Sequence, residues 1–316
     1  MDFIQFKEEL REILSDYVEK QLNGTLRLET VQKNRGEKSG FVYLPDNGNV
    51  GITLYAEDAY EAYQDGKDIE QIAIDMVGTM MAYSMEQETK IDVKETFKPE
   101  NIVPALVPSE DNEELLKTVP HVPFENLEII FKFSLPDFKG GGTANVTNTF
   151  MEQYGWDEKK LLETAMNNPA YRDEIRLVPL MGIPFGEPWV SGKDDFGFMG
   201  ELSQKTVVIS NSSIVYGAAA IMDKDVMKKV ADAFGDDIYI IPSSVHECIL
   251  MPKSEMPLEE LQQMVYEINR ATVSPEERLS DDIYFFDSIT KELTMASGQK
   301  ERTEHQEAKE FASQRR

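Results

Sequence analysis

The alternation of strand-like and helix-like segments constrains the fold of this chain more than any other feature of its sequence. Between residues 127 and 135, apolar residues recur at every second position, as on the buried face of a strand, while Lys132 and Ser134 lie on the opposite face. Helical segments follow such strands, yet several strands are joined to one another by short turns. The mixture predicts an α+β fold with mixed or mainly antiparallel sheets flanked by helices, and argues against a doubly wound parallel sheet.

Helical spacing, capping residues and turn residues locate the expected elements. The predicted helices lie at 3–22, 57–64, 69–85 and 113–117, and further helices begin at Asp157, Asp223 and Pro257. The predicted strands lie at 26–30, 41–44, 50–55, 102–107, 127–135, 143–147, 175–180, 207–210, 215–222, 238–241, 245–251, 283–286 and 292–295. We expect Asn47-Gly48 to turn the chain between the second and third strands, because this pair favours the positive φ angles of a tight hairpin.

A charged segment, 86–100, is predicted to be a linker or domain boundary. We therefore expect two packed subdomains, an N-terminal α+β subdomain at 1–98 and a C-terminal α+β subdomain at 99–296. The remaining segment, 297–316, is polar, and we expect it to be a disordered tail.

Composition and charge narrow the classes of partner and the compartment. The 316 residues are 41% hydrophobic, enough for a core, and 58 acidic against 32 basic side chains give a formal net charge of -26. So negative a surface disfavours nucleic acids and anionic membranes, and no apolar run approaches the roughly 20 residues of a membrane span. The N-terminus lacks a signal-peptide pattern, and the single cysteine, Cys248, excludes an intrachain disulfide. We therefore expect a cytoplasmic protein.

The most suggestive cluster for catalysis is the segment 243–247, which holds two hydroxyls, an imidazole and a carboxylate. A hydrolase would use Ser243 or Ser244 with His246 and a carboxylate supplied from elsewhere in the chain. Side chains alternate along a strand, however, so His246 and Glu247 would point in opposite directions. This favours a second interpretation, in which the serines satisfy backbone groups in a turn and the histidine is partly buried.

Metal and cofactor sites have little support in the sequence. The three histidines, His121, His246 and His305, are not at the spacing of metal ligands, and one cysteine cannot form a zinc knuckle. No glycine-rich segment follows a phosphate-binding or dinucleotide-binding pattern. We expect no metal and no cofactor, and His121 is a second candidate acid–base residue beside His246.

The irregular segment 181–204 is the best candidate for a contact surface, because it is rich in aromatic residues. Phe185, Trp189, Phe196 and Phe198 are too apolar for a loop that only faces solvent. They could bind a protein partner, as long ordered loops often do, or they could pack on the core as a flap.

Several phrases of the sequence together indicate a family. They are Asn49–Tyr55 with Tyr60, Tyr63 and Gly66; His121–Leu127; Thr147-Asn148 with Tyr154-Gly155 and Leu161–Asn168; Ser210-Asn211 with Gly217–Ala219 and Ile241–Glu247; and Asn269, Thr272-Val273, Glu277, Leu279–Asp281 and Tyr284. In combination they resemble the bacterial domain-of-unknown-function family numbered 5688, over the chain up to about Leu293. The resemblance implies one architecture throughout the family and a cytoplasmic protein from anaerobic, gut-type bacteria. It implies no activity and no catalytic residues.

Three functions follow from these observations. The favoured one is a non-catalytic binding or regulatory protein, whose acidic surface could bind a basic partner or mimic a polyanion. The alternative is a hydrolase-type enzyme that uses Ser243 or Ser244 with His246. The third is a structural or assembly component without a discrete site.

Overall fold

The computed structural model describes residues 1–86, 92–135, 142–196 and 205–297. Three predicted segments lie partly outside the described residues: the linker 86–100 at 87–91, the contact segment 181–204 at 197–204, which includes Phe198, and the tail 297–316 at 298–316. The contacts within the chain divide it into two compact units, Met1–Thr96 and Phe97–Arg316.

The first unit is a three-stranded antiparallel sheet with helices. Its elements are α1 (Phe3–Gln21), β1 (Gly24–Lys33), β2 (Gly36–Pro45), β3 (Ile52–Tyr55), α2 (Ala56–Gln64), α3 (Ile69–Glu86) and α4 (Val93–Thr96). The strand order is β1-β2-β3, and helix α1 begins at a capping box in which the Asp2 carboxylate accepts the backbone N–H of Gln5. The apolar stripe of α1, which includes Phe6, Leu10 and Leu14, forms the core of this unit with β2 and α3.

The hairpins of the first unit differ from the prediction in how they turn. Strands β1 and β2 extend beyond their predicted ends because the chain reverses at Arg35 and Gly36, whose φ angles are 61° and 142°. Strands β2 and β3 pair as predicted. The expected positive φ angles at Asn47 and Gly48 are wrong, since the turn instead closes with a 3.0 Å bond from the Gly48 N–H to the Pro45 carbonyl.

The second unit contains the remaining strands and helices. Its strands are β4 (Ile102–Pro108), β5 (His121–Phe124), β6 (Leu127–Leu135), β7 (Gly142–Asn145), β8 (Ile175–Pro179), β9 (Val190–Ser191), β10 (Val207–Asn211), β11 (Ile238–Ile241), β12 (Cys248–Pro252), β13 (Tyr284–Phe286) and β14 (Leu293–Met295). Its helices are α5 (Glu113–Leu116), α6 (Asn148–Gln153), α7 (Glu158–Asn167), α8 (Pro169–Arg172), α9 (Lys224–Phe234) and α10 (Leu258–Thr272).

Two antiparallel sheets organise this unit. In the described residues, seven strands follow the order β14-β13-β11-β12-β10-β8-β9. In the smaller sheet, β6 pairs with β4 along one edge and with β5 and β7 along the other. Every pairing in both sheets is antiparallel. The predicted fold class, α+β with antiparallel sheets flanked by helices, is confirmed.

The main core of the second unit draws on both sheets. Alternate residues of β6 and of β11 to β13, such as Phe131, Ile240 and Tyr284, join the apolar face of α9 in one buried cluster. Residues of the opposite strand faces, such as Tyr239 and Phe285, form a smaller cluster with α10. None of the helices in the described ranges has both the length and the apolar character needed to cross a bilayer.

Two predicted strands are wrong in ways that matter for the candidate site. The apolar run 215–222 is a tight helical turn, Gly217–Met222, and not a strand. Its small residues allow this close packing: a Cβ atom on Gly217 would lie 2.2 Å from Ser210 Oγ and 2.6 Å from the carbonyl oxygen of His246. The strand predicted to begin at residue 245 begins at Cys248, so the segment 242–247 is a loop between β11 and β12.

Candidate functional site

His246 lies in the loop 242–247 with both ring nitrogens facing protein groups. Its Nδ1 accepts the backbone N–H of Tyr216 at 3.2 Å. In the neutral ring the proton must then sit on Nε2, which lies 3.7 Å from Glu277 Oε1. The side chain is 25% exposed, so the ring is within reach of solvent.

The serines beside this histidine bond to backbone groups. Ser244 Oγ accepts the backbone N–H of His246 at 3.0 Å, and Ser244 is buried. The backbone carbonyl of Ser243 accepts the N–H of Leu279 at 3.2 Å. Within the described residues, neither serine hydroxyl bonds to the imidazole, and a nucleophile needs such a contact to be activated.

Glu247 is the half-buried acid of this loop. Burial raises the pKa of its carboxyl, while the charge of His246 and the hydroxyl of Ser244 act to lower it and the charge of Glu277 acts to raise it. Since burial is the largest of these effects, the folded protein favours the protonated form of Glu247 more than water does.

His121, the second candidate acid–base residue, lies on the smaller sheet. It begins β5, opposite Ile130 of β6. Its Nδ1 lies 3.1 Å from the carbonyl oxygen of Val119 and must donate to it, because a carbonyl can only accept. This bond ties the His121 ring to the backbone just before β5. The His246 ring instead accepts the N–H of Tyr216, in the segment after β10 of the larger sheet.

Tyr216 and Lys132 belong to the same cluster, and sequence reasoning missed both. The rings of Tyr216 and His246 are 5.7 Å apart. Lys132 Nζ lies 3.8 Å from the centroid of the Tyr216 ring and donates to Asn145 Oδ1 at 2.7 Å. Lys132 is buried, which is rare for lysine; its position between Phe131 and Phe133 in a long apolar strand was the available signal.

The segment that carries Tyr216 has a strained backbone. Ile214 and Tyr216 both have φ angles of 53°, in the left-handed region, which is a genuine outlier for a β-branched residue such as Ile214. Asn211 holds the segment: its Oδ1 accepts the N–H of Val215 at 3.1 Å, and its Nδ2 donates to the carbonyl of Val215 at 2.8 Å. These bonds and the one to His246 stabilise a conformation that the sequence does not favour locally.

A cavity of about 90 Å³ opens beside this strained segment. Its walls include Lys132, Tyr171, Tyr216 and residues 211–213. Many of its polar groups already bond to protein: the Tyr171 hydroxyl donates to the Ala219 carbonyl at 3.0 Å, and Ser213 Oγ donates to Asn211 Oδ1 at 3.1 Å. Burial raises the pKa of Tyr171 well above its ordinary value.

The aromatic segment splits between surface and core. Phe185 is 81% exposed at the end of the turn Leu180–Phe185, with Met181 59% and Ile183 45% exposed beside it. Trp189 is half-buried, and Phe196 is buried in the main core with Lys229 Nζ 5.6 Å from its ring centroid. Phe196 therefore serves the core, and Phe198 lies outside the described residues.

The exposed turn is ordered by its backbone. The N–H of Leu180 donates to the Thr206 carbonyl at 3.0 Å, and the N–H of Glu187 donates to the Gly182 carbonyl at 3.1 Å. Gly186 ends the turn with a φ angle of 68°, which favours glycine. The apolar side chains are thus presented from a fixed backbone.

Metal ligands are not gathered in the described ranges, where no group of three or more His, Cys, Asp or Glu side chains could hold an ion. Cys248 is buried, its Sγ lies 3.7 Å from the Ala218 carbonyl oxygen, and burial raises its thiol pKa well above the ordinary value. A thiol in this state is unreactive.

Comparison with known proteins identifies the family. The profile of the Family of unknown function (DUF5688) matches residues 3–288, which is most of the chain. The protein therefore belongs to this family, and the resemblance found in the sequence is confirmed. Neither a curated protein nor a solved structure matches the chain.

Proposed function

We propose that this chain is a non-catalytic binding protein that recognises a basic protein partner through the turn Leu180–Phe185. The observation that carries the proposal is the exposure of Phe185, which is 81% accessible on an ordered turn. Aromatic residues, phenylalanine among them, are enriched at protein interfaces relative to the rest of the surface.

The neighbours of Phe185 strengthen the case. A single exposed apolar residue needs no explanation, but a group on one rigid element marks a contact site. Met181 and Ile183 are exposed on the same turn. Ile289 is also highly exposed, at 90%, but its neighbours in sequence, Ser288 and Thr290, are polar. It therefore serves as a control position for an exposed apolar residue outside the turn.

The charge of the chain supports a basic partner. The formal net charge is -26, and the exposed Glu187 and Asp194 follow the turn in sequence. Acidic groups around an apolar contact speed association with a basic surface and discriminate against acidic ones. The single cysteine suits a reducing compartment such as the cytoplasm.

The structural use of the reactive side chains supports a non-catalytic role. Ser244 Oγ accepts a backbone N–H, and Nδ1 of His246 accepts another. Groups engaged in this way stabilise loops and do not form a nucleophilic relay.

Site-specific crosslinking tests the proposal. A photoreactive phenylalanine analogue is placed at position 185 of the full chain, and in a matched control at position 289, and both are irradiated in cells. We expect one discrete adduct with a basic protein from position 185. In pull-downs with the unlabelled chain, recovery of this protein should fall when the salt concentration is raised, and it should fall in the variant Phe185→Ser. The same adducts from both positions, or none from position 185, would contradict the proposal, provided that circular dichroism shows each variant to be folded.

A further inference from the structure

We propose that His246 and the backbone of Tyr216 form a pH-sensitive latch, in which protonation of the imidazole releases Tyr216 from the wall of the cavity. The latch consists of one hydrogen bond, from the Tyr216 N–H to His246 Nδ1 at 3.2 Å. Only a neutral imidazole can accept this bond. An imidazolium has two N–H donors and no acceptor, so it would set a donor against the Tyr216 N–H.

The segment held by this bond is poised to move. The left-handed backbone of Ile214 and Tyr216 costs free energy that its hydrogen bonds must offset. Asn211 holds the segment at Ile214, whose N–H donates to the Asn211 carbonyl at 3.1 Å, and at Val215 through its side chain. The bond to His246 holds the N–H of Tyr216. Loss of that acceptor therefore favours relaxation at Tyr216.

The charged groups near the ring come from several elements. Glu277, in the segment after α10, lies 3.7 Å from Nε2, and Glu247 belongs to the same loop as the ring. Lys132 of β6 lies at the far end of the cluster, over the ring of Tyr216. Arg278, beside Ser244, directs its guanidinium to the carbonyls of Asn269 and Val273.

The effect of release falls on the cavity. Tyr216 lines the cavity, and its ring makes a cation–π contact with the ammonium of Lys132. Movement of Tyr216 would enlarge the opening and remove the aromatic face from Lys132. Histidine is the side chain whose charge changes between about pH 5 and 8, so the cavity would respond to mild acidification.

Nuclear magnetic resonance of the full-length ¹⁵N-labelled chain tests the latch directly. Between pH 8 and 5 we expect the ring nitrogens of His246 and the amide of Tyr216 to titrate with a common midpoint. Hydrogen exchange at residues 212–217, corrected for the intrinsic effect of pH, should lose roughly threefold to tenfold in protection, as for one neutral hydrogen bond.

Two variants and a control make the result specific. His246→Gln keeps an acceptor that does not titrate, so protection at 212–217 should become independent of pH. His246→Leu removes the acceptor, so protection should be low at every pH. His121→Gln should leave the transition of the parent chain intact. A Tyr216 amide that does not follow the His246 ring, or a transition that persists in His246→Gln, would overturn the proposal. Neither result depends on the leucine variant, so the test stands even if that variant does not fold.

Discussion

The two units of the chain are built on different kinds of interior. In the described residues the buried polar side chains are Asn34 in the first unit and nine in the second: Asn112, Lys132, Asn168, Thr206, Ser210, Asp223, Ser244, Asn269 and Ser280. The first unit thus relies on apolar packing of α1, α3 and β2, which tolerates changes that keep volume. The second unit must also satisfy buried donors and acceptors, and its loops, including the one that carries His246, are fixed by them.

The strongest test of the apolar interior is Phe6→Ala. Phe6 is fully buried, and its ring lies 5.2 Å from that of Tyr60 and 5.1 Å from that of Tyr63. We expect a loss of about 3–5 kcal/mol in the free energy of unfolding, from lost burial and a residual cavity. Urea denaturation followed by circular dichroism measures it. Ile4→Ala, on the exposed side of the same helix, is the control, and an equal loss in both variants would refute the apolar core of this unit.

Asn269→Ala tests the polar interior with the next largest effect. Asn269 is buried in α10, and its Nδ2 donates to the Ser280 carbonyl at 3.1 Å and to Asp281 Oδ1 at 3.0 Å. Truncation leaves these acceptors without their donor, at a cost of about 2 kcal/mol. The exposed Asn167, whose Nδ2 donates to the Glu163 carbonyl at 2.7 Å, provides the control variant Asn167→Ala. Indistinguishable unfolding midpoints for the two would show that burial does not set the value of these bonds.

Tyr171→Phe sharpens the comparison at a single buried hydroxyl. We expect a loss of about 1 kcal/mol at neutral pH, because the Ala219 carbonyl loses its donor. Burial raises the pKa of Tyr171 in the folded state. The contribution of this phenol is therefore present below the unfolded pKa, about 10, and is lost as the pH rises further. Melting temperatures from pH 8 to 11 should fall more steeply for the parent chain than for Tyr171→Phe; parallel curves would refute the assignment.

Glu247→Gln gives the smallest expected change in the free energy of unfolding, and this change is a gain, whereas the three variants above are expected to lose stability. Burial raises the pKa of Glu247 in the folded state, so folding favours the protonated acid. The stabilising contribution of the protonated form is present below the unfolded pKa and is lost as the pH rises through the folded value. At pH 7 glutamine should therefore stabilise the protein by up to about 0.5 kcal/mol, and the gain should vanish in acid. Thermal melts against pH check this, with the exposed Glu152→Gln as the control; a gain that grows towards low pH would contradict it.

Local patterns predicted the elements whose burial follows a simple period. Helix α9 begins at the predicted cap, Asp223, and ends at Gly235, and strand β6 has the predicted bounds. The run 215–222 was mistaken for a strand because apolar content alone does not distinguish a strand from a tight turn of small residues. Gly217 was the informative residue, since its close approach to Ser210 requires the absence of a side chain.

The candidate site was only partly predictable, because its contacts join distant segments. His246 could be singled out from its neighbours in sequence. Its ring partners, however, are Tyr216, 30 residues before it, and Glu277, 31 residues after it. Lys132 was assigned to the outer face of β6, and that face is covered by Tyr216. No periodicity in either segment encodes these encounters.

The close packing of Gly217 makes the loop that contains His246 depend on a missing side chain. The hydroxyl of Ser210 donates to the His246 carbonyl at 2.7 Å, and a Cβ atom on Gly217 would lie within 2.6 Å of both groups. Any larger residue at position 217 would have to displace that hydroxyl or that carbonyl. The contact between these two segments is therefore closed to every residue type except glycine.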